Sequence, residues 1–251
     1  MQLRQLFGLD GRTALVTGGS SGIGRAIAVA LADAGARVLI AARTPSTIAE
    51  TVAEIRTRGG LAEGRPADLS TRAGAHALAD AVGDVDILVN SAGINLRPPM
   101  AELDEATWDA TMRVNLDAPF VLGQRLAPGM VARGYGRFIH ISSQQAHRPF
   151  ASSGAYGVSK AALEALARSQ AEAWSMSGVT SNVLVPGFVQ TPLNARLSSD
   201  PAMVEALAAR TLVGRNGVPE DFAGPAVFLA SPASAYVTGQ SIAVDGGFSV
   251  H

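Results

Sequence analysis

The residues best suited to chemistry are a tyrosine and, four positions later, a lysine. Tyr156 and Lys160 bound the segment Tyr-Gly-Val-Ser-Lys at the start of a predicted helix. Residues at positions i and i+4 of a helix share one face, so the two side chains can point at one site. A phenol with a pKa near ~10 is a poor acid or base at neutral pH. A neighbouring ammonium favours the phenolate, and the pair therefore predicts an acid–base tyrosine tuned by a lysine.

Lysine usage along the chain singles out the same position. Of the 20 basic residues, 19 are arginine, and Lys160 is the only lysine. Arginine cannot readily lose its proton or act as a tunable point charge, whereas lysine can. Chance could place a single lysine anywhere, but a position four residues after Tyr156 favours a functional reason for it.

Two more polar residues are candidates for the same site. Ser143 ends a predicted strand, thirteen residues before Tyr156, and its hydroxyl could hold a substrate oxygen beside the phenol. Asn115 lies within an apolar helical stretch, although asparagine competes with the backbone for hydrogen bonds and is awkward there. A buried relay from Asn115 through water and Lys160 to Tyr156 would explain its presence.

A glycine-rich turn between the first predicted strand and helix points to a dinucleotide. In the segment 17–24, Gly18 permits a tight turn, Gly22 lets backbone amides approach a pyrophosphate, and Gly24 lets helix and strand pack closely. The helix N-terminus adds partial positive charge for the anion. An ordinary strand-to-helix turn is the alternative, but the position of the glycines at the start of a βαβ unit favours nucleotide binding.

The end of the second predicted strand discriminates between the two nicotinamide dinucleotides. An NAD site has an acid there to bind the ribose 2′-hydroxyl, but this strand ends without one, and Arg43 follows. A guanidinium can pair with a 2′-phosphate, which favours NADP(H) and leaves NAD(H) possible. A surface arginine is the alternative. Asp68, after the third strand, is placed either to accept from the adenine amino group or to cap its loop. The positive nicotinamide of the oxidised cofactor would lower the pKa of Tyr156 further.

The scaffold for these groups is predicted from the alternation of short β-branched runs with alanine-rich helical segments. Strands are predicted at residues 13–17, 38–42, a short run ending near 67, 86–90, 137–142, 179–185 and 241–244. Helices are predicted at residues 23–33, 46–58, 71–82, 104–133, 156–176, 201–210 and 219–230. This rhythm predicts an α/β Rossmann fold in a single domain over residues 1–251. We expect a doubly wound parallel sheet of about seven strands with helices on both faces.

Taken together, the motifs resemble the classical short-chain dehydrogenases/reductases. The resemblance covers essentially the whole chain: the turn 17–24, Asn115, Ser143, Tyr156 with Lys160, Pro186-Gly187 with Thr191, and the tail 244–247. It implies that Tyr156 exchanges a proton with the substrate oxygen and that Ser143 orients that oxygen. Lys160 would bind the nicotinamide ribose and lower the pKa of Tyr156, and Asn115 would hold a water in the relay. It also implies hydride transfer on the B face and a homotetramer formed through the two long helices.

The cofactor-binding residues follow from the motifs and from the resemblance. They are Gly18, Ser20, Ser21, Gly22, Ile23, Gly24, Arg43, Asp68, Leu69, Asn90, Ala92, Gly93, Tyr156, Lys160, Pro186, Gly187, Val189 and Thr191. One departure is Ser91, where the family usually has a second asparagine, and it affects the hydrogen bonding of that loop rather than the chemistry.

Substrate contacts are expected after Gly93, after Ser143 and from residue 188 to about residue 214. The candidates are Asn95, Arg97, Gln145, His147, Arg148, Phe188, Gln190 and Asn194. Residues 94–99, 209–211 and 214–215 look most like those of gluconate 5-dehydrogenases and related sugar-acid reductases. We therefore expect hydride transfer between NADP(H) and a secondary alcohol or ketone, such as gluconate and 5-ketogluconate. Arg97 or Arg148 could receive a carboxylate, and a solvated loop arginine is the alternative for each.

Three other functions remain open at this point. A 3-oxoacyl-[acyl-carrier-protein] reductase needs a basic docking patch, to which Arg133 could contribute, but the turn 176–178 offers no charge. A general ketone reductase is the second, and an NADP-binding sensor or scaffold is the third. The complete set of Ser143, Tyr156 and Lys160 argues against a protein without catalytic activity.

Composition excludes several other classes of protein. A net charge of −1 gives no footprint for nucleic acid or acidic membranes. The absence of cysteine excludes disulfides, thiolate metal sites and cysteine nucleophiles, and we expect no metal. The N-terminal residues lead into no apolar segment of a secretory signal, and Asp33 and Arg37 interrupt the best candidate for a membrane span. A soluble cytoplasmic protein is expected.

Overall fold

Seven parallel strands form the centre of the computed structural model, which describes residues 2–250. The strands are β1 (Thr13–Thr17), β2 (Arg37–Ala42), β3 (Leu61–Pro66), β4 (Ile87–Asn90), β5 (Gly136–Ile141), β6 (Val179–Pro186) and β7 (Ser241–Val244). Their order in the sheet is β3-β2-β1-β4-β5-β6-β7. The predicted doubly wound parallel sheet of about seven strands is therefore confirmed.

Helices cover both faces of this sheet. They are α1 (Leu3–Phe7), α2 (Gly22–Asp33), α3 (Pro45–Thr57), α4 (Arg72–Val82), α5 (Glu105–Met112), α6 (Ala118–Ala132), α7 (Gly154–Trp174), α8 (Ala195–Ser198), α9 (Pro201–Ala209) and α10 (Ala223–Ala230). Successive side chains of a strand point to opposite faces. On β1, Ala14 and Val16 accordingly join the apolar cluster under α2, α3 and α10, and Leu15 joins the cluster under α4 and α6.

The helix predicted over residues 104–133 differs from the observed one in its middle. Helices α5 and α6 are joined by a π-helical turn, Arg113–Asp117, and Asn115 is buried within that turn. A π turn inserts an extra residue into the helical ladder and often occurs at functional sites. The predicted helix over 219–230 begins instead as a 3₁₀ turn, Pro219–Phe222, and the short helix α8 has no counterpart among the predicted elements.

The strand order determines where a ligand can bind. The chain continues from β1 to β2 and β3 on one side and then returns to β4 on the other side of β1, pairing Thr17 with Asn90. Ligands of open α/β sheets bind in the crevice at the carboxyl ends of the strands on either side of such a reversal. Within residues 2–250, no helix has both the length and the apolar character needed to cross a bilayer.

Candidate active site

A cavity of about 760 Å³ lies at the carboxyl ends of the central strands. It extends from the glycine turn after β1, past the loops after β4 and β5, to the segment that follows β6. Four cationic side chains line it, Arg43, Arg97, Lys160 and Arg196, and none of its lining residues in the described part of the chain is acidic. The cavity is therefore suited to anionic ligands along its whole length.

The glycine turn brings backbone unusually close to backbone. Gly18 has φ +66°, and a Cβ added to it would lie 2.8 Å from the amide nitrogen of Ala92. A Cβ on Gly24 would lie 2.3 Å from the carbonyl oxygen of Gly18. Any side chain at these two positions would push the glycine turn away from helix α2 and from the loop after β4. The glycines thus let the turn pack tightly against α2 and the loop after β4, while Gly18, Gly22 and Gly24 line the cavity.

Most of the predicted cofactor residues line this cavity. They are Gly18, Ser21, Gly22, Ile23, Gly24, Arg43, Ala92, Gly93, Tyr156, Lys160, Pro186, Gly187, Val189 and Thr191. Ser91, which sequence reasoning noted only as a departure from the family pattern, lines it as well. Sequence reasoning could have found Ser91, because it lies between two residues already assigned to the site.

Four predicted cofactor residues do not line the cavity. The Asp68 carboxylate accepts hydrogen bonds from the backbone amide and the hydroxyl of Ser70, at 3.0 and 2.9 Å, and these bonds lower its pKa. Asp68 thus caps its own loop, and its contact with the adenine amino group stays a prediction. Leu69 is buried among apolar side chains, and the Asn90 amide lies 3.2 Å from Nδ1 of the buried His140. Ser20 lies in the turn without lining the cavity.

Tyr156, Ser143 and Lys160 meet in one place. Tyr156 lies in the first turn of α7, and its buried phenol hydrogen bonds with the Ser143 hydroxyl at the end of β5. Lys160 lies one turn later, with Nζ 5.7 Å from the centroid of the Tyr156 ring. Its Nζ donates to the carbonyl oxygen of Ile141 at 2.8 Å. The structure therefore brings the three residues together as the helical spacing predicts.

The pKa of Tyr156 differs from the sequence-based prediction. Burial raises the pKa of the phenol, and the hydrogen bond with Ser143 and the charge of Arg97 only partly oppose that effect. Burial also lowers the pKa of Lys160, to about 8. Lys160 is not among the groups that lower the pKa of Tyr156. The expected lowering is thus not produced by the protein's own side chains, because burial outweighs them.

Asn115 joins the loop after β4 to helix α7. Its Oδ1 accepts from the amide of Ile94 at 2.9 Å, and its Nδ2 donates to the Ile94 carbonyl and to Oγ of Ser159, both at 3.0 Å. These bonds satisfy a polar side chain that is 1% exposed. They account for an asparagine inside the helix through a direct contact with Ser159, and the water relay to Lys160 stays a prediction.

The predicted substrate residues divide into two groups. Asn95, Arg97, Gln145, Phe188 and Asn194 line the cavity. Gln190, His147 and Arg148 do not line it. His147 and Arg148 directly follow the 3₁₀ turn Gln144–Ala146 and are exposed.

The two residues after this turn have partners elsewhere. His147 exposes 56% of its side chain and pairs with Glu164. Nη1 of Arg148 donates to the carbonyl oxygen of Phe248 at 3.4 Å. Of the two arginines considered for a carboxylate, the cavity therefore presents Arg97.

Arg97 has a cationic neighbour that sequence reasoning missed. Its Nε donates to the carbonyl oxygen of Ser152 at 3.2 Å, and its guanidinium carbon lies 5.8 Å from the centroid of the Phe150 ring. Burial lowers the pKa of Arg97, the charge of Arg196 lowers it further, and Tyr156 opposes both. Arg196, on α8, lies inside the segment expected to contact substrate, so a search for cationic residues there could have found it.

Apolar side chains complete the substrate end of the cavity and were also missed. They are Leu96, Phe150, Leu193, Leu197, Met203 and Leu207. Phe188 and Leu207 form a small apolar cluster with Phe248, against which Phe150 and Leu197 pack. This end thus combines two guanidinium groups with an apolar wall.

The chain is similar over its full length to known oxidoreductases. A family model described as enoyl-(acyl carrier protein) reductase matches residues 18–249. The galactitol 2-dehydrogenase (L-tagatose-forming) of Cereibacter sphaeroides is 40% identical, with 100% of both chains covered.

Two solved structures have the same fold. One is a Beutenbergia cavernae protein suggested to be an NAD(P)-dependent gluconate 5-dehydrogenase, with NADP bound at low occupancy. Its identity is 44%, its TM-score is 0.94, and 98% of this chain and 99% of that chain are covered. The other is a gluconate 5-dehydrogenase from Burkholderia cenocepacia in complex with NADP and tartrate, 38% identical with a TM-score of 0.94 and 100% of both chains covered. The family match, these similarities and the Ser143–Tyr156–Lys160 site together establish that the chain belongs to the short-chain dehydrogenase/reductase family of oxidoreductases.

Proposed function

We propose that this protein transfers hydride between NADP(H) and a secondary alcohol or ketone of a sugar acid, such as gluconate and 5-ketogluconate. The observation that carries the proposal is Arg97, which interacts with Tyr156 and has Arg196 as a cationic neighbour, in a cavity whose described lining residues include no acid. The Burkholderia cenocepacia relative, a gluconate 5-dehydrogenase solved with NADP and tartrate, supports it.

NADP(H) fits the other end of the cavity. The backbone of the turn 17–24 and the N-terminus of α2 would hold the pyrophosphate, since Gly18, Gly22 and Gly24 line the cavity without a side chain. The exposed Arg43 has no hydrogen-bond or salt-bridge partner within residues 2–250 and would pair with the 2′-phosphate. When bound there, NADP(H) supplies or accepts the hydride. NAD(H) would fit the same turn without this charge pairing.

The chain's own residues handle the proton. Tyr156 gives its phenolic proton to the substrate oxygen during reduction and takes it back during oxidation. The hydroxyl of Ser143, already hydrogen bonded with the phenol, orients that oxygen. Lys160 would hold the nicotinamide ribose, and the charge of Arg97 favours the phenolate form of Tyr156. Asn115 would keep the loop after β4 in place beside them.

A carboxylate would resolve an electrostatic conflict within the cavity. Burial disfavours the charge of Arg97, and the charge of Arg196 disfavours it further. The side chain of Arg196 has no hydrogen-bond or salt-bridge partner in the described part of the chain. A guanidinium presents a fork of donors that matches a carboxylate, and one anion between the two arginines would stabilise both.

Arg196→Met is expected to lower kcat/KM for gluconate by about 10- to 100-fold, the usual contribution of a hydrogen bond to a charged group. D-glucitol carries a CH₂OH group where gluconate carries its carboxylate, so kcat/KM for D-glucitol should stay within about twofold. Initial rates with NADP⁺ and the two substrates measure the change in their ratio. Arg58→Leu, which removes an exposed arginine paired with Asp33 on the outer surface, is the matched control for net charge.

Two outcomes separate the parts of this proposal. Equal losses for both substrates in Arg196→Met would show that Arg196 does not bind the carboxylate. If the wild-type enzyme oxidises D-glucitol with the same kcat/KM as gluconate, the assignment of sugar acids as the substrate class is wrong.

Arg43→Ala is expected to raise KM for NADPH by about 10- to 100-fold and to leave KM for NADH nearly unchanged, because only NADPH carries the 2′-phosphate. Raised salt should weaken NADPH more than NADH in wild-type enzyme and equally in the variant. Adding Ala42→Asp should repel the phosphate and provide an acceptor for the ribose hydroxyl, which reverses the preference. Titrations of initial rate with both cofactors test this. A wild-type preference for NADH, or equal damage to both cofactors in Arg43→Ala, would make Arg43 a surface residue.

The acyl-carrier alternative is less well supported by the surface near the site. Arg133, the residue considered for a basic docking patch, pairs with Asp84 at 2.6 Å and lies 3.5 Å from Asp86, so its charge is already compensated. A sensor without activity would have no need for the Ser143–Tyr156 hydrogen bond.

We also propose a cytoplasmic homotetramer that contacts a small-molecule substrate and neither nucleic acid nor membrane. Two exposed apolar side chains support assembly through the long helices, Phe120 on α6 and Val158 on α7.

A further inference from the structure

A buried carboxylate lies directly behind the catalytic serine. Glu164, one turn after Lys160 on α7, exposes 3% of its side chain. Its Oε1 accepts from Oγ of Ser142 at 2.7 Å, and its Oε2 accepts from Oγ of Ser241 at 3.0 Å. Nε2 of His147 lies 3.1 Å from Oε1 and 3.0 Å from Oε2. This one side chain thus connects the end of β5, the loop that follows it, α7 and β7.

These contacts hold both ends of the first turn of the serine loop, residues 142–153. Ser142 immediately precedes Ser143, and His147 immediately follows the 3₁₀ turn Gln144–Ala146. The serine loop contains Ser143 and Gln145 of the cavity wall and the Ser152 carbonyl on which Arg97 rests. Displacing its first turn would therefore move groups at both the reacting centre and the substrate end.

The rest of the serine loop is held by uncharged contacts. Oγ of Ser153 donates to Oε1 of Gln145 at 2.7 Å and accepts from the amide of Phe150 at 2.8 Å. Gly157 lets the loop approach α7, since a Cβ there would lie 3.0 Å from the Gln145 carbonyl oxygen. Among these contacts the Glu164–His147 pair is the ion pair, and it is the one that pH can remove.

We propose that Glu164 is a positioning residue for Ser143, and that its ion pair with His147 couples the placement of the serine loop to the protonation of His147. This inference rests on the Ser143–Tyr156 chemistry and is independent of which substrate the cavity takes. A buried carboxylate needs compensation by hydrogen bonds and opposite charge. Ser142 and Ser241 supply the hydrogen bonds, and the protonated imidazolium of His147 supplies the charge.

The direction of the pH effect follows from the groups around the pair. Glu164 faces His147 of the serine loop and the hydroxyls of Ser142 and Ser241. On its own helix it also faces Lys160, whose Nζ donates to the Ile141 carbonyl. His147 faces Glu164, and its neighbour in sequence, Arg148, extends to Phe248. Protonated His147 holds the loop. Deprotonation of His147 at higher pH removes the ion pair and its contribution.

The ratio of wild-type kcat/KM to that of Glu164→Gln, measured from pH 5.5 to 9, tests this coupling. Ketone reduction is measured with saturating NADPH, and taking the ratio removes the titration of Tyr156 common to both proteins. We expect a ratio of about 10 at the acid end, since small misplacements of a catalytic group cost that much or more. It should decrease as pH rises. Glu172→Gln, which removes an exposed carboxylate from the same helix, should give a ratio near 1 at every pH.

Variants of His147 separate charge from packing. His147→Arg keeps a positive charge at all pH values and should keep the acid-side activity up to pH 9. His147→Gln should show the reduced, pH-independent activity throughout. His76→Gln, at an exposed position on α4, is the matched control and should follow wild type.

Hydrogen–deuterium exchange supplies a readout that needs no substrate. After correction for the intrinsic effect of pH, amides of the serine loop should exchange about 10-fold faster in Glu164→Gln at pH 6 and differ less at pH 9. If Glu164→Gln does not fold, His147→Gln, at a half-exposed side chain, carries both measurements. A ratio that stays flat with pH, or His147→Gln indistinguishable from wild type at pH 6, overturns the proposal. If catalytic activity is lost while hydrogen–deuterium exchange is unchanged, the substitution has altered the reaction chemistry and not the loop. This result also overturns the proposal.

Discussion

Tyr156→Phe is expected to lower kcat by at least about 100-fold and as much as 10,000-fold, the usual contribution of a general acid–base group. The phenyl ring keeps the packing of a side chain that is 6% exposed, and only the ionisable hydroxyl is lost. NADPH binding should stay within about twofold of wild type, because the glycine turn and Arg43 are untouched. Initial rates and a fluorescence titration with NADPH measure the two quantities separately.

Tyr135→Phe is the matched control for this experiment. Tyr135 is partly buried, and its hydroxyl donates to the carbonyl oxygen of Ala230 at 2.7 Å, outside the lining of the cavity. Its loss should cost about 1 kcal/mol of unfolding free energy and leave kcat unchanged. If Tyr156→Phe retained more than a tenth of wild-type kcat, Tyr156 would not be the acid–base group.

Local patterns predicted the central part of the fold well because each strand there is short, β-branched and bounded by turn residues. The predicted first strand has the bounds of β1, Thr13–Thr17, and the glycine turn follows it directly. Fixed helical spacing likewise brought Tyr156 and Lys160 to one site. Where chemistry depends on residues within one turn of each other, the sequence therefore carries the geometry.

Features that depend on tertiary contacts were not predictable in this way. The π turn at Asn115 is stabilised by bonds to Ile94 and Ser159, which are distant in sequence. Local periodicity contains no information about these partners. The raised pKa of Tyr156 has the same origin, since burial of the phenol depends on how loops from several strands close over it.

The substrate residues show the limit most clearly. His147 and Arg148 lie beyond a 3₁₀ turn that directs them away from the cavity, and Arg196 lies on a four-residue helix without amphipathic pattern. A shift of one or two residues in either turn would exchange the residues that face the cavity for those that face solvent. Candidate regions can be read from the sequence, but the direction of each side chain requires the fold.

Lys160→Met is expected to lower kcat/KM at least about 100-fold and, at the same time, to make the protein without cofactor more stable. Burial lowers the pKa of Lys160 from 10.5 to about 8, so the folded protein holds a charge that its surroundings disfavour. Methionine has a similar shape and no charge to bury. The variant loses the hydrogen bond to the Ile141 carbonyl, which offsets about 1 kcal/mol, and a net gain on the order of 1–3 kcal/mol remains.

The pH dependence of that gain identifies its cause. Below about pH 8, Lys160 is charged in both the folded and the unfolded chain, so wild type bears the full cost and the gain is complete. Between about 8 and 10.5 the unfolded chain binds more protons than the folded one, so wild-type stability rises with pH and the gain shrinks towards zero. Urea unfolding of both proteins at pH 7 and pH 10 measures the change. Lys160→Arg, which keeps the charge but not the compact ammonium, should lose activity without any gain in stability. A Lys160→Met gain that is the same at both pH values would mean that repacking, and not relief of a buried charge, stabilises the variant.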